Sequence, residues 1–358
     1  MIEAFTLPSA RFLQLTRSRL AACTRTKCIA VRYLSTKLQD TRQRRVSLFE
    51  EEKQRQSSQK IEKIKVELVQ PVPLGETEKP LILLMNKHKS TPYDCAKHVS
   101  KMLLDSAALA RVTPSSGDDC KHVDMHEPLT EDCDLKLLGF HDGDSSIAHT
   151  VNKAFWRSCS FVLGAVLETA FKDSNRVALH SWPGADYASG SFVYDVKIDG
   201  LDNWTPSNTE LDILSRHAVM RVLGTRALFE PLEVSQEIAA NMFADNQFKS
   251  KQLDSIAEKS GKIRVYRLGD HVDITGGPLI SHSQQIGHFS IVKVTRLEEG
   301  GGLYRFQGVA LPAQQRVSSY TWDVLKKAAK RPNRMVTPGQ PRLVHQHEPE
   351  QSKMELNR

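Results

Sequence analysis

Alternating and helical patterns of apolar residues predict a first folded unit of mixed strand and helix. Residues 64–68 alternate apolar and polar side chains, which predicts a strand, and the apolar run 81–85 predicts a second strand. A helix should begin at Thr91, because its hydroxyl can cap free backbone amides and Pro92 suits the first helical position. The spacing of apolar residues predicts that this helix runs to about Ala108.

Two short strands should follow this helix, one near Val112 and one at residues 135–138. Two strands, a helix and further strands within about eighty residues form an α+β pattern of β-grasp type. We therefore predict a β-grasp domain at 64–142.

A second unit should open with a long helix that begins at Asp144 or Ser145 and extends toward Phe171. Its apolar residues form one broad stripe, as expected of a helix packed on a core. Alternating residues at 191–198 predict a strand, and the helical spacing at 209–226 predicts another helix. Further strands are predicted at 229–234, 263–268, 288–294 and 304–310, and further helical segments at 235–243, 254–259 and 313–330.

The first 35 residues have the composition of a mitochondrial transit peptide. They are rich in Arg, contain Ser and Thr, and carry a single acidic residue among scattered apolar ones. Arg17 and Arg19 interrupt the continuous apolar core that a secretory signal needs. The alternative is a basic arm that remains in the mature protein. Residues 36–63 are polar, which predicts a solvated helix or linker.

The net charge of +7 lies in the ends of the chain. Residues 1–35 carry +5, residues 36–65 carry +4 and residues 326–358 carry +5, which leaves −7 for residues 66–325. This distribution favours tails that contact phosphates over a globular domain with a basic surface, although ordinary solvated tails remain the alternative. We predict a basic irregular tail at 326–358, with these candidates for RNA contact: Lys326, Lys327, Lys330, Arg331 and Arg334.

The cysteines and apolar runs indicate no metal, no cofactor and no membrane span. Six cysteines are scattered without a C-x-x-C pair, which favours free thiols in a reducing compartment. Cys120 and Cys133 lie near two histidines, His122 and His126, but the spacing fits no zinc pattern. No apolar run approaches the roughly 20 residues of a membrane span.

The two units together resemble the front end of threonyl-tRNA synthetase. Residues 81–85, 91–96 and 134–138 resemble its small TGS domain. The resemblance implies a TGS-like β-grasp domain at 64–142 and an α+β editing-type domain at 145–325. The editing-type motifs are Phe155-Trp156 with Ser158 and Gly164, then 190–195, Phe229-Glu230, 265–267, and Asp273 with 276–278.

The reactive positions of that editing domain are changed in this chain. The resemblance implies two histidines four residues apart in one segment, and a cysteine and a histidine four apart in the other. The matching positions hold Arg157, Phe161, Thr275 and Leu279. Ester hydrolysis needs a proton acceptor, and an arginine stays protonated near neutral pH. The resemblance therefore implies an inactive domain with no small-molecule substrate. A compensating role for His149, His271, His282 or His288 is the alternative.

These expectations favour a structural protein over an enzyme. With a transit-like start and basic ends, the chain resembles a protein of the mitochondrial large ribosomal subunit that derives from the front end of the synthetase. The resemblance implies a place in the matrix, where large-subunit rRNA and neighbouring ribosomal proteins would be the partners. Two alternatives are a free-standing mitochondrial aminoacyl-tRNA deacylase and an RNA-binding regulator outside the ribosome.

Overall fold

The computed structural model is a mixed α+β protein, which confirms the predicted class. Within the described ranges, no helix combines the length and the hydropathy needed to cross a bilayer. Side chains are described from residue 39 onward, apart from 259 and 260. The described residues are 21–58, 61–69, 81–117, 119–141, 143–172, 175–186, 189–201, 203–297 and 302–335. The helices are α1 Ala21–Ser57, α2 Pro92–Val99, α3 Lys101–Ser106, α4 Ser145–Ala170, α5 Asn208–His217, α6 Gln236–Met242, α7 Gln247–Ser260 and α8 Ser319–Ala328. The strands are β1 Lys63–Leu68, β2 Leu81–Asn86, β3 Ala107–Pro114, β4 Lys121–Asp124, β5 Cys133–Gly139, β6 Val177–Ser181, β7 Phe192–Ile198, β8 Glu230–Val234, β9 Ile263–Leu268, β10 His271–Ile274, β11 Ile286–Leu297 and β12 Leu303–Pro312.

The first unit is a five-stranded sheet covered by α2 and α3. Its strand order is β2-β1-β5-β3-β4, with β1 parallel to β5 and the other pairs antiparallel. The alternation predicted at 64–68 is confirmed, because Ile64, Val66 and Leu68 are buried in one core with residues of the helices. The predicted helix start is also confirmed: Thr91 and Asp94 form a capping box.

The helix that begins after Thr91 does not run to Ala108, so that prediction is wrong. It stops at Val99, and Ser100 is extended with φ −161° and ψ 151°. The hydroxyl of Ser100 accepts a hydrogen bond from the Leu103 amide at 3.2 Å and so caps α3. The chain then enters β3, whose first four residues are all buried between two neighbouring strands. Tertiary burial overrides the helical spacing here.

The second unit packs α4 against a four-stranded sheet in the order β11-β12-β7-β6. The prediction for α4 is confirmed, since Asp144 caps it by accepting from the Ser146 amide at 2.8 Å. A smaller sheet in the order β10-β9-β8 packs against α6, α7 and α1. The strands predicted at 288–294 and 304–310 are confirmed as β11 and β12, which form an antiparallel hairpin.

Several elements of both units were missed or shortened by the sequence patterns. The three missed strands, β4, β6 and β10, have only four or five residues each. All four residues of β10 are buried, so no alternation marks it. The helix predicted at 209–226 is α-helical only to His217, after which a π-helical turn spans Ala218–Val222 and a 3₁₀ turn follows.

The polar segment 36–63 is not solvated throughout, which corrects that prediction. Most of it belongs to α1, where Phe49 is fully buried in the core of the three-stranded sheet. Arg45 and Glu52 are also buried. Helix α1 extends back to Ala21 and so overlaps the predicted transit peptide, while residues 1–20 lie outside the described ranges.

The basic tail predicted from residue 326 is regular at its start. Helix α8 continues to Ala328, and both Ala329 and Asn333 are buried against the second unit. Residues 336–358 lie outside the described ranges. The segment after α8 therefore packs against the second unit up to residue 335.

Candidate functional site

The structure brings together the two segments that carry the four altered positions. Arg157 and Phe161 lie one turn apart on α4, and the loop of residues 275–279 leaves the end of β10. Side chains four residues apart share one face of a helix, so both face the loop region. Arg157 supplies the direct link, because its Nη1 donates to the carbonyl of Gly277 and, at 3.0 Å, to that of Pro278.

Ser158, the residue next to Arg157, makes a second link between α4 and this loop. Its hydroxyl accepts from the Ile280 amide at 2.9 Å and donates to the Ala154 carbonyl at 2.8 Å. Both hydrogen bonds are buried. Two consecutive residues of α4 therefore hold the loop directly against the helix, and the two segments form one packed wall.

Phe161 and Leu279 are fully buried in this wall. The Phe161 ring packs edge-on against Phe229, Tyr266 and His271, with ring centroids 6.0, 6.3 and 4.9 Å away. Neither side chain can accept or relay a proton. Thr275 is half-buried, and its hydroxyl lies 3.5 Å from the Gly277 amide, at the limit of a hydrogen bond. Arg157, Phe161 and Leu279 thus hold and pack the two segments together.

The close approach of Gly277 to Tyr266 makes the loop tight. Gly277 has φ +58°, and a Cβ atom there would lie 1.8 Å from the Tyr266 hydroxyl. That hydroxyl donates to Asp124 Oδ2 at 2.7 Å, and Asp124 Oδ1 accepts from the Leu279 amide at 2.7 Å. Since Asp124 ends β4, the first unit helps to close the wall of the second.

A buried ion pair joins α7 to β10, the strand that leads into the loop, and it was not predicted from the sequence. Lys249 on α7 pairs with Asp273 on β10 at 2.7 Å, and their side chains are 2% and 0% exposed. The Tyr194 hydroxyl donates to Asp273 and accepts from Lys249 at 3.1 Å. Burial, together with the neighbouring Asp273 charge, raises the pKa of Tyr194 well above its ordinary value. A lone lysine in a polar helix gives no sequence signal for this arrangement.

His271 belongs to a second buried network that ties α1 to α4. Its Nδ1 lies 2.6 Å from Glu168, which also pairs with Arg45 at 2.8 Å. Burial raises the pKa of Glu168, but the charges of Arg45 and His271 outweigh it and leave this pKa well below its ordinary value. This histidine therefore takes part in a buried structural contact between β10 and α4.

The other candidate histidines occupy separate environments. His149 is exposed on α4, and His288 stacks on Trp322 with ring centroids 5.0 Å apart. His282 is buried with neither ring nitrogen hydrogen-bonded, and burial with the nearby Arg226 charge lowers its pKa to about 4. Among the described residues, no cluster of three or more His, Cys, Asp or Glu side chains is arranged to hold a metal.

The predicted RNA-contact residues lie on another surface, at and after the end of α8. Lys326 is half-buried and pairs with Asp323 at 2.8 Å. The other four are exposed: Lys327, Lys330, Arg331 and Arg334. They cluster in one short segment and contribute nothing to the wall between α4 and the loop.

The segment that carries β9, β10 and the loop matches a known family. Residues 263–307 match the family described as the threonyl and alanyl tRNA synthetase second additional domain. The chain is 26% identical over 255 residues to a probable cytoplasmic threonine–tRNA ligase 1 of Dictyostelium discoideum, covering 70% of this chain and 32% of that protein. It is 29% identical over 247 residues to the human cytoplasmic threonine–tRNA ligase 2, covering 68% of this chain and 28% of that protein.

A ribosomal protein matches over a much larger share of its own length. The chain is 40% identical over 304 residues to the large ribosomal subunit protein mL39 of Drosophila melanogaster. The match covers 83% of this chain and 86% of that protein. Identity at this level over nearly the whole of both proteins shows that the chain belongs to the family of large ribosomal subunit protein mL39.

Proposed function

We propose that this chain is a non-catalytic structural constituent of the mitochondrial large ribosomal subunit, located in the matrix, where it supports mitochondrial translation. The match to a ribosomal protein over 86% of that protein's length carries the proposal. The threonine–tRNA ligases, by contrast, are matched over less than a third of their length in the two cases described. The two ligases match 255 and 247 residues of this chain, and the ribosomal relative matches 304.

The closed wall supports the absence of an enzymatic role. An editing reaction needs a positioned water, a group that takes its proton and space for the ester. Here Arg157 is engaged with two loop carbonyls, and Phe161 and Leu279 are fully buried. These side chains hold the loop against α4, so packing contacts occupy the positions at which the synthetase editing domain carries its reactive groups. The free-standing deacylase is the less favoured alternative on the same observation.

The domain assignment follows from topology and resemblance together. We infer that residues 64–142 form a TGS-like β-grasp domain, since a parallel pair of central strands lies beneath two short helices. The inactive editing-type domain begins at residue 145 and extends beyond the 325 expected from sequence to residue 335. Buried contacts join the two, among them the Arg264 to Asp124 ion pair at 2.7 Å. The pair of domains thus offers one continuous scaffold.

The partners follow from charge and from the ribosomal family. We infer contacts with large-subunit rRNA through the exposed cations after α8, and with neighbouring ribosomal proteins through the rest of the surface. The folded middle carries −7, so phosphate contact is expected at the ends. A membrane and a small-molecule substrate are not part of the proposal.

Sedimentation of mitochondrial lysates tests the ribosomal role. The tagged full chain should migrate with the large subunit in a sucrose gradient, and it should move to the top when the subunit is dissociated by chelation of magnesium and high salt. A tagged chain that stays at the top of the gradient before dissociation would remove the ribosomal proposal.

A hydrolysis assay tests the enzyme alternative separately. The purified chain should leave misacylated tRNA intact under conditions in which a threonine–tRNA ligase deacylates it. Release of the amino acid above background would establish the deacylase. A magnesium-insensitive RNA complex smaller than the subunit would instead favour the regulator.

A further inference from the structure

The surface formed by α8 and residues 329–335, called here the C-terminal ridge, combines cations with an exposed aromatic ring. Residues 319–335 contain five Lys or Arg and one acidic residue. That residue, Asp323, pairs with Lys326 at 2.8 Å and also lies close enough to Lys327 for their charges to interact, so the segment keeps an excess of positive charge. Tyr320 is 77% exposed, and it is the only aromatic residue among the strongly exposed large apolar side chains of the described residues.

The packing of α8 decides which face of the ridge is free. Trp322 stacks on His288 of β11, and Ala329 packs with Val292 and Val309 of the sheet. These contacts place the side that carries the half-buried Trp322 against the sheet. The opposite side presents Tyr320, Val324 and Lys327 at positions i, i+4 and i+7, which share one face.

The segment after α8 is held in place by side chains of β12. Gln307 donates to the Ala329 carbonyl and, at 2.6 Å, to the Arg331 carbonyl. Arg305 donates to the Asn333 carbonyl at 2.9 Å and to the Met335 carbonyl at 2.7 Å. Four alternate carbonyls between residues 329 and 335 are therefore turned toward the sheet.

Arg305 and Asn333, which take part in holding this segment, are themselves fixed by buried contacts. Arg305 makes a bidentate pair with Asp195, at 2.8 Å on both sides, in which the side chains are 4% and 0% exposed. Asn333 is buried and donates to the Ser191 carbonyl at 3.1 Å. With its backbone held this way, the segment directs Lys330, Arg331 and Arg334 into solvent. The cations are preorganised on a rigid support, which lowers the conformational entropy lost on binding.

We propose that the C-terminal ridge binds unpaired nucleotides of RNA, with a base stacked on Tyr320 and the neighbouring phosphates on Lys327, Lys330, Arg331 and Arg334. This inference rests on the proposed ribosomal function and names the part of the rRNA that the chain would take. Tyr320 and Lys327 are separated by about 10 Å along the helix axis, given a rise of about 1.5 Å per residue. One short stretch of single strand can therefore reach both groups.

Single-stranded RNA fits this surface better than a duplex or an acidic protein. Side chains cannot read the deep, narrow major groove of an A-form helix, whereas unstacked bases stack readily on aromatic side chains. An acidic protein would use the cations and leave the ring of Tyr320 in water. Cations beside a protruding aromatic ring are the combination that single-strand binders use.

Binding to an unstructured RNA probe tests the role of the ring. The full chain and its variants would be titrated with a fluorescent single-stranded oligouridylate and with a perfect RNA duplex of equal length. Tyr320→Ala should weaken binding of the single strand by roughly tenfold and leave duplex binding unchanged. Tyr320→Phe, which keeps the ring, should bind like the unmodified chain.

Salt dependence tests the role of the cations. Lys327→Gln combined with Lys330→Gln should reduce the slope of log affinity against log salt by about 0.7 per removed cation. The matched control replaces Lys97 and Lys251, two exposed lysines outside the ridge, by Gln. This control should leave both affinity and slope unchanged.

The outcomes separate this inference from the proposed function. If Tyr320→Ala binds the single strand as tightly as the unmodified chain, or if the control pair lowers the slope equally, the single-strand site is refuted. An equal loss on the duplex would also refute it. Sedimentation with the large subunit bears on the ribosomal role alone, so that role can stand while the ridge fails.

Discussion

Two neighbouring glycines in the loop of residues 275–279 provide a test of how tightly that loop is packed. Gly277→Ala should destabilise the second unit strongly, because a methyl group there would lie 1.8 Å from the Tyr266 hydroxyl at φ +58°. Gly276→Ala is the matched control, since Gly276 is exposed and no atom lies within 4 Å of the Cβ position. The two substitutions are chemically identical and adjacent, so only the surroundings differ.

The magnitude follows from what must move. An alanine at positive φ costs about 1–2 kcal/mol. Displacing the Tyr266 hydroxyl also breaks its hydrogen bonds to Asp124 at 2.7 Å and from Arg264 at 3.0 Å. Buried hydrogen bonds to charged groups contribute about 1.5–3 kcal/mol each. Because Arg264 still pairs with Asp124, we take the lower part of this range and expect a total of about 4–5 kcal/mol.

Tryptophan fluorescence during urea unfolding measures the loss of stability of the second unit. All four tryptophans of the chain, at positions 156, 182, 204 and 322, lie in the second unit. In a thermal melt followed by the same fluorescence, a loss of about 4 kcal/mol should appear as a fall in Tm of roughly 8–16 °C for a unit of this size. The Gly276→Ala control should unfold within about 0.5 kcal/mol of the unmodified chain.

A double-mutant cycle identifies the cause. Tyr266→Phe removes the oxygen that the new methyl group would strike, so Gly277→Ala should cost less in that background. The coupling should be at least about 1 kcal/mol in the compensating direction. If the two changes are additive, or if Gly277→Ala is as mild as Gly276→Ala, the close contact does not hold the wall and our account of its closure fails.

Three further substitutions test the packing and the buried charges, each followed by the same unfolding assay. Phe161→Ala should cost about 3–5 kcal/mol through the cavity it leaves, and a loss below about 1 kcal/mol would show that the position is not packed. Arg45→Met should cost about 3–5 kcal/mol, because it leaves the Glu168 carboxylate buried without its main cation, whereas the exposed neighbour Arg44→Met should be mild. His282 has its pKa lowered to about 4, so its unfolded state binds more protons below about pH 6.5 and stability should fall on acidification between about pH 6.5 and 4. His282→Gln should lessen this pH dependence, and an unchanged pH profile would contradict the assignment.

The elements that the sequence predicted well depend on local spacing. Alternation at 64–68 and the long stripe of α4 specify a buried face whatever the partner is. The capping box of Thr91 and Asp94 involves residues three apart, so its signal is complete within one turn. The end of that helix was mispredicted, because Ala107 and the residues after it are recruited by distant strands of the sheet.

The loss of reactive groups at the four editing-type positions was also visible in the sequence, once the resemblance supplied the frame. Side-chain chemistry is a property of residue type, so Phe161 and Leu279 lack proton chemistry in any fold. Their new role was not visible. That Arg157 fastens a loop 120 residues away depends on how α4 meets the end of β10.

Charged residues show most plainly what only the tertiary structure decided. Arg45, Lys249 and Arg305 look like ordinary solvated charges in the sequence, yet each is buried against a carboxylate 24 to 200 residues away. A charged side chain is buried only where an oppositely charged partner offsets the free-energy cost of its desolvation. Folding of the whole chain determines which partner that is. The sequence by itself determined the class, the lost chemistry and the basic ends. The fold decided which charges are buried and which remain on the surface for a partner.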